Sequence, residues 1–112
     1  MPSMIRRVKG ELYVEGISLA NIAKEFSTPC YVYSKKAIEE NYLSYVEALE
    51  SQSHLVCYAV KSNSNIAVLQ LLSSLGAGFD VVSIGELERV LLAGGDPKKV
   101  RLNQRLPSQC RH

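Results

Sequence analysis

Seven successive residues, His54-Leu55-Val56-Cys57-Tyr58-Ala59-Val60, are nearly all apolar. A strand with one wet face alternates, so an unbroken run suits a strand covered on both faces, as in a parallel sheet. A polar turn follows at Ser62-Asn63-Ser64-Asn65. Val68, Leu71, Leu72 and Leu75 then recur at the spacing of one helical face, with Gly76 placed to end the helix. Phe79-Asp80-Val81-Val82 is another strand of buried type. Ser83-Ile84-Gly85-Glu86 fits a capping box and opens a helix through Leu87, Val90 and Leu91 to Gly94-Gly95. Lys99 to Leu102 begins one more strand. Upstream, Cys30-Tyr31-Val32-Tyr33 is a β-branched and aromatic run that reads as a strand. Ser34 caps the helix after it, whose buried face is Ile38, Tyr42, Tyr45, Val46 and Leu49. Earlier still, Glu11 to Val14 alternates as a short strand. Ser18 opens a helix with Leu19, Ile22, Ala23 and Phe26 on one face, stopped by Pro29. The repeated βα order predicts an α/β fold with parallel strands and right-handed crossovers.

Charge and length narrow the function. Thirteen Lys and Arg stand against eleven Asp and Glu, a net charge of +2 in 112 residues. So small an excess gives no electrostatic reason to expect nucleic acid or membrane as a partner. No apolar run reaches the roughly 18 residues of a membrane span. Arg6-Arg7 is followed by charged residues instead of the apolar core of a signal peptide, so a cytoplasmic location is expected. A complete (β/α)8 barrel takes about 250 residues, more than this chain has. Cys30, Cys57 and Cys110 are odd in number and widely spaced, which excludes a disulfide framework. Cys30 and Cys57 lie in strand-like runs and are expected as buried thiols. His54 and His112 are the only histidines. Neither has a second ligand-type residue at metal spacing, so no metal site is expected.

Lys61 closes the apolar run. That places an amine at the C-terminal rim of a parallel sheet, where α/β folds hold their active sites. Strand parity aligns it with Leu55, Cys57 and Ala59, whose surroundings would desolvate it and make it a better nucleophile. Taken locally, a solvated lysine ending a strand is the commoner reading. Asp80 is a carboxylate inside an apolar strand and needs a donor or cation; Lys61 on the neighbouring strand would serve. A strand-end residue bonding loop amides is an equal alternative. Glu86 is first of all the capping partner of Ser83, on a helix that starts at the same rim. Gly76-Ala77-Gly78 precedes a strand and lacks a third glycine, so it is no dinucleotide loop.

These segments taken together resemble a known family. Thr28-Pro29-Cys30-Tyr31-Val32-Tyr33 is similar to the entry strand of diaminopimelate decarboxylases. Tyr58-Ala59-Val60-Lys61-Ser62-Asn63-Ser64-Asn65 is similar to their cofactor-lysine segment. Gly76 to Ser83, Gly85 to Arg89, and Ala93 to Lys99 follow in the same order. Gly10-Glu11-Leu12-Tyr13-Val14-Glu15-Gly16 points to the diaminopimelate branch of the wider pyridoxal-phosphate decarboxylase and racemase family. The resemblance implies the N-terminal part of a (β/α)8 barrel, with a short N-terminal strand belonging to a missing β-domain. Residues 1–27 would hold that strand and a helix, residues 28–100 the first βα units, and residues 101–112 a divergent tail. It implies pyridoxal 5′-phosphate as cofactor, held by Lys61 as a Schiff base, with Asp80 and Glu86 as acidic residues near that lysine. The implied reaction is decarboxylation of meso-diaminopimelate to L-lysine by a homodimer, with this truncated chain inactive alone. A related amino-acid decarboxylase or racemase, or a small non-catalytic α/β binding protein, stays open at this point.

Overall fold

A computed structural model describes residues 4–103. The chain divides into two compact units, one up to Leu43 and the other from Ser44 on.

The first unit opens with three antiparallel strands: β1 (Ile5–Val8), β2 (Glu11–Val14) and β3 (Ile17–Ser18). The strand expected at Glu11 to Val14 is therefore the middle of three. Both connections are two-residue turns, Lys9-Gly10 and Glu15-Gly16, with φ of 51° and 84°, and 52° and 87°. Positive φ at both turn positions matches the right-handed twist of the strands it joins. Helix α1 (Leu19–Phe26) follows, and Ser18 Oγ accepts from Asn21 N–H at 3.4 Å as its cap. Leu19, Ile22 and Ala23 are half-buried, while Phe26 is exposed.

The strand expected at Cys30 to Tyr33 is not formed. These residues pair with no strand among the described residues, because strand propensity becomes a strand only when a neighbour takes up its backbone groups. Tyr31 is 91% exposed and stacks on Tyr33 at 6.5 Å. Cys30 is exposed, contrary to expectation.

Helix α2 (Lys35–Ala48) begins where predicted. Ala37 N–H donates to Ser34 Oγ at 3.1 Å, and Lys36 N–H donates to Glu15 Oε2 at 3.3 Å. Ser34 Oγ also donates to Glu15 Oε2 at 2.7 Å. A carboxylate thus sits at the N-terminus of α2, where free amides and the helix dipole favour an anion. These bonds, Ser34 first and the Lys36 amide second, hold the Glu15 carboxyl below its usual value. The face expected to be buried is only partly covered. Ile38, Tyr42, Val46 and Leu49 are half-buried, and Tyr45 is 64% exposed.

The second unit carries the parallel sheet, in the order β4 (Cys57–Ala59), β5 (Gly78–Val81), β6 (Val100–Leu102). Both pairings are parallel. Helices α3 (Ile66–Ser74) and α4 (Ile84–Leu92) make the crossovers. This is the α/β arrangement expected from the alternation. Phe79, Leu69, Val60, Val81 and Val90 are the largest fully buried side chains. Gly95 is pressed against them: an added Cβ would meet Val90 and would stand 3.3 Å from the Phe79 ring. At Gly78 an added Cβ would come 2.8 Å from the Lys99 carbonyl and 2.7 Å from Cys57 Sγ.

The seven-residue run forms only three residues of strand, because Val60 turns into a 3₁₀ turn, Val60–Ser62. Nor is the expected cover on both faces found: Leu55 is 49% exposed and Cys57 is exposed, and among the described residues β4 pairs with β5 alone. Of the expected tail, Arg101 and Leu102 belong to β6, and residues 104–112, with Cys110 and His112, lie outside the described residues.

Candidate active site

Lys61 sits in the 3₁₀ turn directly after β4, at the C-terminal end of the sheet. The turn is tied at both sides. Asn63 N–H donates to Val60 O at 3.1 Å, and the Tyr58 hydroxyl donates to Asn63 O at 2.9 Å. Asn63 Oδ1 accepts from Asn65 N–H at 3.0 Å, and Asn65 Oδ1 caps α3 through Ala67 N–H at 2.9 Å. The backbone of Lys61 is thus fixed while its side chain is exposed. The partial desolvation expected from strand parity is not found, since parity ends where the 3₁₀ turn begins.

Asp80 lies on the central strand, in register with Ala59 on one side and Arg101 on the other. The expected ion pair between Asp80 and Lys61 is absent. Among the described residues the ion pair formed is Lys35–Glu39, at 3.8 Å. Asp80 Oδ1 is buried with no hydrogen-bond partner among them. An unpaired buried acceptor carries the full cost of its lost hydration, so it draws any donor brought beside it.

Glu86 completes the rim. Ser83 Oγ accepts from Glu86 N–H at 3.1 Å, as a capping box requires. The return bond differs by one residue: Glu86 Oε1 accepts from Val82 N–H at 2.9 Å, not from the cap residue Ser83. The carboxylate thereby fixes the exit of β5 as well as the start of α4.

One residue of this edge escaped sequence reasoning. Asn103 N–H donates to Val81 O at 2.8 Å, and its Nδ2 donates to Asp80 Oδ2 at 3.5 Å. No local motif marks it; only the parallel register of β5 and β6 brings it to Asp80.

A fixed backbone, an exposed primary amine and an unsatisfied carboxylate oxygen at one sheet edge suit a carbonyl-bearing cofactor better than a metal. Among the described residues no group of three His, Cys, Asp or Glu could hold a metal ion. No helix among them is long and apolar enough to cross a membrane.

Comparisons with known proteins identify the family of the chain. The family described as pyridoxal-dependent decarboxylase, pyridoxal binding domain, matches residues 35–109. The diaminopimelate decarboxylase of Pseudomonas aeruginosa is 61% identical over 90 residues, which are 80% of this chain and 22% of that protein. That of Vibrio cholerae is 52% identical over 91 residues, 81% of this chain and 22% of the other. A crystal structure of diaminopimelate decarboxylase from M. jannaschii in complex with L-lysine superposes with a TM-score of 0.88 and 34% identity. It is matched over 93% of this chain and 25% of its own. The chain therefore spans about a fifth to a quarter of the length of the relatives it matches. Matched along residues 35–109, which include the Lys61 turn and all three parallel strands, the chain belongs to the pyridoxal-dependent decarboxylases, in their pyridoxal-binding domain.

Proposed function

We propose that this chain supplies the lysine-bearing edge of a diaminopimelate decarboxylase, which takes meso-diaminopimelate to L-lysine and CO₂ with pyridoxal 5′-phosphate as cofactor. The observation that carries this reading is Lys61: an exposed amine on a tied turn at the C-terminal end of a parallel strand. The 61% identity with a protein named diaminopimelate decarboxylase supports this choice of substrate.

The residues present fit the cofactor. An aldehyde needs a primary amine, which Lys61 provides, and the unpartnered Asp80 Oδ1 offers an acceptor to a protonated nitrogen. When bound, pyridoxal phosphate supplies an electron-poor ring that takes up the electron pair left by the departing carboxylate. Lys61 Nζ would hold the cofactor and give it up to the substrate amine. Asp80, carrying negative charge, would favour the protonated form of a nitrogen beside it. Glu86 holds the β5–α4 turn through Val82 N–H and so keeps Asp80's strand end in place. In this reading the partners are a small amino-acid substrate and a second copy of the full-length enzyme, the compartment is the cytoplasm, and nucleic acid plays no part.

Borohydride reduction in the presence of pyridoxal 5′-phosphate, followed by peptide mass mapping, tests the assignment. The pyridoxyl group should be found on Lys61, and Lys61→Ala should remove most of the incorporation. Label centred on another lysine, or spread evenly over Lys98, Lys99 and the rest, would overturn it.

A further inference from the structure

We infer that Asn103 is a positioning residue for Asp80: it holds one carboxylate oxygen so that the other stays unspent as an acceptor. The inference deepens the proposed function and rests on it for the use to which Asp80 is put.

The argument starts at the backbone. Asn103 follows β6, yet its N–H still donates to Val81 O at 2.8 Å, so the ladder between β5 and β6 continues to this residue. Its Cα is therefore fixed at the same end of the sheet as the turn holding Lys61. From that fixed point only two side-chain torsions place Nδ2, which reaches Asp80 Oδ2 at 3.5 Å. A carboxylate rotates freely unless something distinguishes its two oxygens. Here Oδ2 has a donor, and Oδ1 is buried without one.

The chemistry of the donor matters. Arg101 is level with Asp80 on β6, and an arginine is the usual partner of a semi-buried carboxylate. No ion pair between them is formed among the described residues. The donor is instead a neutral amide. An arginine would cancel the charge of Asp80, whereas an amide orients the group and leaves the charge available to an arriving cation. Such a cation is what an amino-acid substrate, or a cofactor held through Lys61, would bring.

The test uses the 112-residue chain, isotopically labelled. The Nδ2 protons of Asn103 should lie further downfield and exchange more slowly in the parent chain than in Asp80→Asn, where the carboxylate acceptor is gone. Asn103→Ala and Asn103→Asp should each slow pyridoxyl incorporation at Lys61 by about threefold or more, the scale of one lost hydrogen bond. Protection of the residue-103 backbone amide should persist, since its bond to Val81 does not need the side chain. Incorporation at the parent rate in both folded variants, or Nδ2 protons indifferent to Asp80, would overturn the inference. If Asn103→Ala unfolds, the Asp80→Asn comparison of the Nδ2 protons decides the matter alone. If the parent chain takes no label at Lys61, the reading of Lys61 fails, and the Nδ2 measurement still decides the role of Asn103.

Discussion

From Ser44 onward the chain buries Phe79, Leu69, Val60, Val81 and Val90 almost completely, whereas up to Leu43 only Val14 and Ser18 are buried among the described residues. The parallel unit is held by apolar contact between helices and sheet. The hairpin unit is held by turns and caps: two glycine turns, the Ser18 cap, and Glu15 at the start of α2. Burial is cooperative and costly to disturb in one place, while local ties fail singly. The two regions should therefore respond differently to the same kind of damage.

The sharpest break is Phe79→Ala. Phe79 is wholly buried, and removing such a ring costs about 3–5 kcal/mol. Amide exchange in β4, β5 and β6 should accelerate strongly, while the β1–β2 ladder keeps its protection. Equal loss in both units would show that they unfold as one.

A smaller effect is expected from Gly16→Ala. The residue has φ of +87° with nothing within 4 Å of an added Cβ, so the cost is backbone strain alone, about 1 kcal/mol. The loss should be confined to amides of β2 and β3. Unchanged protection there would mean that the turn contributes little to holding the hairpin.

The mildest test is acidification. The Glu15 carboxyl is held below its ordinary value near 4.5 by the Ser34 hydroxyl and then the Lys36 amide. A group whose folded value is depressed stabilises the fold above its unfolded value and loses that contribution as pH falls through the folded one. The first turn of α2 should loosen below about pH 4.5, and Glu15→Gln should flatten that dependence. A Glu15→Gln chain whose α2 amides still follow pH as the parent's do would remove Glu15 from this role.

The same contrast explains what could be read in advance. Phe79, Val81, Val68 and Leu72 were legible because burial repeats with the period of the element, and Ser83 with Glu86 N–H was legible because a cap is local. Leu69 is wholly buried although it lies one position off the helical face that Val68, Leu71, Leu72 and Leu75 mark. β1 and β3 were missed because their turns are Lys-Gly and Glu-Gly, not the Asn-Gly or Asp-Gly that signal a hairpin most strongly. Cys30 to Tyr33 has the composition of a strand without forming one, because a strand is a partnership and the residues show one side of it. At the site, Lys61 is legible from its place after an apolar run, and its exposure agrees with the commoner local reading, a solvated lysine ending a strand; the 3₁₀ turn that carries it has no local signal. Asn103 could not be found at all: its importance depends on a register between strands.

That register has a rhythm. Cys57 pairs with Gly78, and Phe79 with Val100, so each step across the parallel sheet advances the chain by 21 residues. In the hairpins Val8 pairs with Glu11, and Val14 with Ile17. A ribosome adding about 5–20 residues per second completes either hairpin as soon as its turn emerges. β4 must then wait on the order of one to four seconds for β5, and β5 as long again for β6. Throughout that interval Leu55 and Cys57 lack their neighbouring strand, which makes the growing sheet edge the point at which a nascent chain would most need a chaperone.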